Sequence, residues 1–396
     1  MRQNLIAVRI ILLELTHALR SLHMKLGTLC LLLFLTLSFE ISLFAQKPTP
    51  TPKKEEDEVV RVDTELVDVP VIVMDATGKP VLNLKQTNFA IFEDGKNQEV
   101  ADFAATSAPF EVALLLDTSG STRSELQLIQ RAAQIFIDSL RPGDRVSIIS
   151  FTTAIEGNRR VPAAEVLSGL TGDRAALKAA LDRVSTSNGT PYYDAMMKVV
   201  DDVFKSEPKD SFRGRRALVA LTDGVDSTSI ADFEETREGL ERAGVTAYFV
   251  QVDTRPYFEE GLLGPCEGAT RFSTAQIRRY YRSFGSKANL EKTSNFCDLG
   301  DFERLAISKK LYEIANIEMT SVAKQSGGKV FPAGDLNDAR TAFRSVAAEI
   351  GTKYSLGYYS SNNKRDGSYR KIRVELRGLP IGAQVRAREG YTAPTN

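Results

Sequence analysis

Asp117, Ser119 and Ser121 form a D-x-S-x-S loop directly behind the apolar run Val112-Ala113-Leu114-Leu115-Leu116. They bring one carboxylate and two hydroxyls together, all of them oxygen donors. Hard cations such as Mg²⁺ choose oxygen ligands, and Mg²⁺ keeps several waters and needs few charged ones. A continuous apolar run followed by turn residues reads as a central strand of a sheet covered on both faces. In open α/β sheets ligands bind in the crevice beyond the carboxyl ends of such strands. The first polar residues after Leu116 therefore stand where a site is expected. The competing reading is a turn: Asp and Ser are common in turns and at helix starts, and Ser121 or Thr122 could simply cap the helix that follows.

Two further segments shift that balance. Asn188-Gly189-Thr190-Pro191-Tyr192-Tyr193-Asp194-Ala195 places a Thr in a Gly-containing loop ahead of a helix. Ala217-Leu218-Val219-Ala220-Leu221-Thr222-Asp223-Gly224 is a second apolar strand ending in an acid and a Gly. Oxygen-bearing loops thus follow several junctions of one α/β pattern.

In this order, Asp117, Ser119, Ser121, Thr190 and Asp223 resemble the metal-ion-dependent adhesion site of von Willebrand factor type A (vWA) domains. The Tyr-Asp-Ala after the Thr and the Thr-Asp-Gly around the last acid match as well. So does Arg141-Pro142-Gly143-Asp144-Arg145-Val146, which looks like the usual turn into the second strand. The resemblance covers 110–352 and includes every ligand position. It implies that the three hydroxyls contact a divalent ion and that the two carboxylates act mainly through waters. The expected ion is Mg²⁺, with Mn²⁺ or Ca²⁺ as alternatives.

The rest of the composition removes other chemistries. Of 396 residues, 51 are Lys or Arg and 51 Asp or Glu, giving no net charge and no electrostatic footprint for nucleic acid. Residues 1–45 read as an export signal. Leu26 to Phe39 is an uncharged apolar run behind Met24-Lys25, short for a membrane span, and Ala45 before Gln46 is the expected cleavage point. The alternative is an uncleaved anchor, which would be the chain's one membrane contact. Both histidines, His17 and His23, and Cys30 lie in that segment. Its removal leaves no His for a Ser-His-Asp or Cys-His nucleophile or for a His-based zinc site. Cys266 and Cys297 remain, and in an exported chain such a pair reads as one disulfide. Residues 46–58, with Pro48, Pro50 and Pro52 before a charge run, read as a solvated linker.

Residues 59–108 and 353–393 are strand-like. Leu66 to Met74 alternates, Asp94-Gly95 signals a hairpin behind Phe89-Ala90-Ile91-Phe92-Glu93, and Tyr354 to Tyr359, Tyr369 to Leu376 and Val385 to Ala387 alternate in turn. Neither segment has strands enough for a core of its own. The expectation is one small β-sandwich built from both, with the vWA domain, 109–352, inserted; the alternative is two separate β-appendages. A Phe-x-x-Phe-Glu-Asp-Gly segment before the metal loop and a Tyr-rich strand pair after the last helix also resemble a bacterial group of VWFA-related domain proteins.

Inside 109–352 the pattern alternates. Leu126, Ile129, Ala133, Phe136 and Leu140 give one apolar helical stripe. Strands are expected at Val146 to Phe151, Leu218 to Leu221, Val245 to Val252 and Lys329 to Phe331. Helices are expected at Ala175 to Val184, Tyr192 to Phe204, Glu234 to Ala243, Leu311 to Gln325 and Leu336 to Ile350. This predicts an α/β class: a doubly wound, mostly parallel, Rossmann-like sheet between helix layers. Residues 255–306 break the rhythm and hold both remaining cysteines. There Arg278, Arg279, Tyr280, Tyr281 and Arg282 suit either a surface contact or a solvated helix face.

The functional expectation is an exported module for cell adhesion that binds a protein or surface ligand through a carboxylate placed on the metal. An envelope assembly scaffold would use the same site. A metal-dependent hydrolase with Asp117 as nucleophile or base is the competing class. No second metal cluster, phosphate-cradling Gly loop or catalytic Lys stands near Asp117, so the expectation is that the chain is not an enzyme.

Overall fold

An unbroken run of buried residues places strand β5, Glu111–Leu116, at the middle of a six-stranded sheet. The computed structural model describes residues 65–119, 126–267, 270–285 and 295–395. The expectations for 1–45 and 46–58, and the Ser121 position, lie outside the described residues. Strands β1 (Leu66–Met74), β2 (Phe89–Glu93), β3 (Lys96–Gln98) and β4 (Asp102–Ala104) precede β5. Strands β6 (Arg145–Glu156), β7 (Arg159–Thr171), β8 (Arg216–Thr222), β9 (Val245–Val252) and β10 (Lys329–Ala333) follow it. The last four are β11 (Tyr354–Tyr359), β12 (Tyr369–Leu376), β13 (Gln384–Ala387) and β14 (Gly390–Thr392).

The central sheet runs β10-β9-β8-β5-β6-β7, parallel throughout except for β6–β7. Val112, Leu114 and Leu116 face the helices Leu126–Asp138, Arg174–Leu181 and Leu336–Ile350, meeting Ile129, Phe136, Leu177 and Phe343. Ala113 and Leu115 face the helices Tyr192–Lys198, Phe233–Arg242 and Asp301–Ser326, meeting Met196, Leu240 and Leu311. Burial of both faces is what the unbroken apolar run requires. The fold class is thus the mixed α/β arrangement read from the sequence. The turn before β6 is fixed by Asp144, whose carboxylate accepts from Phe110 N and Arg141 N, both at 2.8 Å, while Gly143 takes φ 93.

No sheet among the described residues is built from one terminal segment alone. One four-stranded sheet runs β13-β1-β11-β4 and the other β14-β12-β2-β3. Val69, Val71, Ile91, Tyr354, Leu356 and Tyr358 fill the space between them. The Asp94-Gly95 turn has φ 47 and 83, the double left-handed geometry of a tight hairpin. Glu93 explains the acid of the Phe-Glu-Asp-Gly segment: only 2% exposed, its carboxylate accepts from Tyr358 OH (2.7 Å), Tyr391 OH (2.9 Å) and Ser360 Oγ (2.6 Å).

Arginines hold the connections between the sandwich and the inserted sheet. Arg215, fully buried, donates to the carbonyls of Ala108 (2.6 Å), Pro109 (3.0 Å) and Lys353 (2.9 Å) and lies 4.0 Å over the Phe110 ring. Arg141 adds bonds to Thr106 O and Ala108 O.

Several elements differ from the sequence expectation. Strand β7 is an addition to it; Pro162 and Gly169 weaken its strand signal, and it survives as the outer edge of the sheet, where a missing donor is tolerated. Strands β4 and β14 are too short to leave a pattern. The helix expected to Phe204 is α-helical to Lys198 and continues as a π turn over Val199–Val203. Residues 255–306 hold the helices Arg255–Leu262 and Thr274–Arg282 and a 3₁₀ turn Phe296–Asp298, and the next helix starts at Asp301, not Leu311. Cys266 and Cys297 are joined by a disulfide, with Cα atoms 5.3 Å apart. Of the Arg278–Arg282 group, Arg279 pairs with Glu318 and Tyr281 OH donates to Glu303, so these two brace the fold.

Candidate metal centre

Register alone brings the first and last motif residues together. In the parallel pair β5–β8, Leu116 stands opposite Leu221, so Asp117 and Thr222 leave the sheet side by side. Asp117 N donates to Leu221 O at 2.9 Å, and Thr222 Oγ1 donates to Asp117 Oδ2 at 2.8 Å. Ser119 N donates to Asp117 Oδ1 at 3.0 Å, curling the loop around its own carboxylate. Asp223 follows Thr222. Its Oδ1 accepts from Val225 N at 2.9 Å and its Oδ2 from Thr254 Oγ1 at 2.5 Å.

The Thr190 loop is tied to both neighbours. Ser187 N donates to Thr118 O at 2.9 Å. Thr190 N donates to Ser227 Oγ at 2.8 Å, and Ser227 N returns to Thr190 O at 3.0 Å. Tyr192 N donates to Asp226 Oδ1, Tyr193 N to Ser229 Oγ, and the Asp194 carboxylate accepts from Ile230 N and Ala231 N. Gly189 makes this close approach possible. A Cβ there would lie 2.7 Å from Pro162 Cγ and 2.9 Å from Thr228 Cγ2. The structure therefore places Asp117, Ser119 and Asp223 at the carboxyl edge of the sheet and ties the Thr190 loop to the segments beside them. All four residues are buried, at 3%, 5%, 7% and 8% exposure for Asp117, Ser119, Asp223 and Thr190. Ser121 is outside the described residues.

The electrostatics suit a cation. Burial pushes the Asp117 carboxyl up, against the hydrogen bonds from Ser119 and Thr222. Burial and then the neighbouring Asp117 push Asp223 up to about 7. Burial raises the Tyr192 phenol, and the Asp117 and Asp223 charges act on it in the same direction. Two carboxylates sharing one desolvated pocket repel, and a divalent ion relieves that repulsion. Among the described residues no three His, Cys, Asp or Glu side chains cluster as metal ligands. The donor set is hydroxyls with two carboxylates, the hard-oxygen chemistry of Mg²⁺ or Mn²⁺.

Sequence reading misses the residues that hold this set in place. Thr222, Thr254, Tyr312, Asp226, Ser227 and Ser229 act on the motif side chains or their loops. Thr222 sits inside the Thr-Asp-Gly signature and is legible there. Thr254 and Tyr312 are distant in the chain and carry no spacing signal.

Residues 112–225 match the family model described as von Willebrand factor type A domain. No curated protein matches the chain. Among solved structures, the chain is similar to the conserved hypothetical protein BatB from Bacteroides thetaiotaomicron, at 16% identity and TM-score 0.36, covering 61% of this chain and 98% of that one. It is similar to von Willebrand factor type A from Catenulispora acidiphila at 13% identity and TM-score 0.37, covering 84% and 75%. It is also similar to proximal thread matrix protein 1 from the mussel byssus with a zinc-occupied MIDAS motif, at 14% identity and TM-score 0.39, covering 66% of this chain and 50% of that one.

Proposed function

Taking residues 112–225 as a von Willebrand factor type A domain, we propose that the chain is a divalent-cation-dependent binding module that captures an acidic group of a protein or surface ligand. The observation that supports this reading is the burial of Asp117, Ser119 and Asp223 together at the carboxyl edge of the sheet, with the Thr190 loop bonded to the segments beside them. Ser121 completes the motif in sequence. The ion of this reading is Mg²⁺, with Mn²⁺ or Ca²⁺ as alternatives. Held largely by neutral hydroxyls, a bound cation keeps net positive charge and an open position, which a partner's carboxylate oxygen fills.

The protein's own residues supply the setting. Thr222 and the Ser119 amide orient Asp117, Thr254 and the Val225 amide orient Asp223, and the bonds between the Thr190 and Ser227 loops hold the third side of the rim. The role is adhesion or scaffolding outside the cytoplasm. The apolar Leu26 to Phe39 run supports export, and the Cys266–Cys297 bridge supports an oxidising compartment.

Calorimetry with Mg²⁺ and Mn²⁺ tests the cation. Saturable uptake lost in Asp117→Ala is expected, and at 100 times Kd the ion adds about 2.7 kcal/mol of stability. No uptake by the parent chain sinks the proposal. A crosslinking pulldown of the parent against Ser119→Ala plus Ser121→Ala then identifies partners that depend on the ion. In this reading the Asp117 carboxylate serves the metal and attacks nothing, so phosphatase or esterase turnover abolished by Asp117→Ala would overturn it.

A further inference from the structure

Both ends of the excursion that interrupts the β–α alternation meet at Asp223. Thr254, at its entry, donates from Oγ1 to Asp223 Oδ2 at 2.5 Å and is buried. Tyr312, on the helix Asp301–Ser326 at its exit, has its OH 2.8 Å from Thr254 Oγ1 and 3.5 Å from Asp223 Oδ2. The Thr254 hydroxyl proton points to Asp223, so Thr254 Oγ1 accepts from Tyr312, and the two hydroxyls form a relay ending on the carboxylate.

The excursion is built to keep those ends together. The Cys266–Cys297 disulfide ties its two sides. Arg304 donates to the carbonyls of Leu262 (3.0 Å) and Gly264 (2.9 Å) and lies 4.3 Å over the Phe296 ring. Phe258 packs against Phe272 and Tyr312, with ring centres 5.5 and 6.4 Å apart. Its middle helix, Thr274–Arg282, sends Arg279 over the Tyr193 ring at 5.0 Å and onto Glu318, which also accepts from Tyr193 OH at 2.7 Å. Tyr193 lies in the first turn of the helix that follows Thr190. The excursion thus touches the neighbourhoods of two separate motif residues.

We propose that Thr254 and Tyr312, at the two ends of the disulfide-closed excursion, are positioning residues for Asp223 in the cation site. This rests on the cation reading above. A carboxylate with a donor on each oxygen has its plane fixed, and each oxygen retains a lone pair for an ion or its water. Partners of this kind govern metal affinity by 10- to 100-fold, roughly.

The test is calorimetric titration of the full chain with Mn²⁺, alongside the unfolding temperature of the metal-free protein. Thr254→Val and Tyr312→Phe are each expected to bind Mn²⁺ about tenfold more weakly than the parent, and Thr254→Ser to stay within about twofold of it. Cys266→Ser plus Cys297→Ser is expected to weaken binding as well; if that variant does not fold, the two hydroxyl variants decide alone. A purely structural role would lower the metal-free unfolding temperature and leave affinity unchanged, and that result overturns the proposal. A parent chain that takes up no Mn²⁺ fails at the earlier step and removes the cation reading along with this one.

Discussion

The Arg215 guanidinium donates a 2.9 Å hydrogen bond to the carbonyl of Lys353, tying the start of a central strand to the residue that leaves the last helix. The same group serves Ala108 and Pro109, so one side chain bridges both connections between the two parts of the fold, with Arg141 beside it. Arg215→Met keeps much of the volume and removes every donor. It is expected to cost about 3 kcal/mol, the scale for stranding buried partners of a charged group. Urea unfolding checks this, and a midpoint equal to the parent's refutes it.

Glu93 gives a second stability prediction. Glu93→Ala leaves Tyr358, Tyr391 and Ser360 without their common acceptor and is expected to cost about 3 kcal/mol. Tyr358→Phe removes one donor and should cost about 1 kcal/mol. Thermal unfolding of the two variants gives the comparison, and equal losses would contradict the shared-acceptor picture.

Asp68 sets a pH dependence. Burial raises its carboxyl from 3.8 to about 6, against the opposing charges of Arg213 and Arg388. Its Oδ1 has no hydrogen-bond partner among the described residues. Between those two pH values the folded state binds more protons than the unfolded one, so this group's contribution is present below the lower value and is lost as pH rises through the upper. For a partly exposed carboxyl the loss is about 1–2 kcal/mol after solvent screening. Asp68→Asn should flatten that stretch of the stability–pH curve and raise stability at pH 7; a curve parallel to the parent's argues against it.

Gly189 tests the geometry of the rim without touching a motif residue. A methyl group there meets Pro162 and Thr228 below 3 Å, which forces the Thr190 loop to shift. Gly189→Ala is expected to weaken divalent-ion affinity about tenfold. Gly169→Ala, whose Cβ meets nothing within 4 Å, is the control and should bind as the parent does. Equal affinity in both would show that the loop position does not matter to the ion.

Much of the fold and the rim is legible because burial and chemistry leave local marks. Val112–Leu116 and Ala217–Leu221 announce central strands, and the polar residues behind them announce the rim. Leu336–Ile350 keeps its expected bounds because one apolar face meets one sheet face. The helix Asp301–Ser326 extends ten residues ahead of its expected start. It packs against the sheet on one side and the excursion on another, so its apolar residues fall on no single stripe. Thr254 and Tyr312 stay invisible for a different reason. Their meaning comes from a contact across 58 positions of chain, and nothing in either local pattern encodes it.

Arg215 and Arg141 together gather the carbonyls of residues 106, 108, 109, 351 and 353, so the segments leading into and out of the α/β part run side by side there. A change at Arg215 is therefore felt at once by the entry to β5, the start of β8 and the entry to β11.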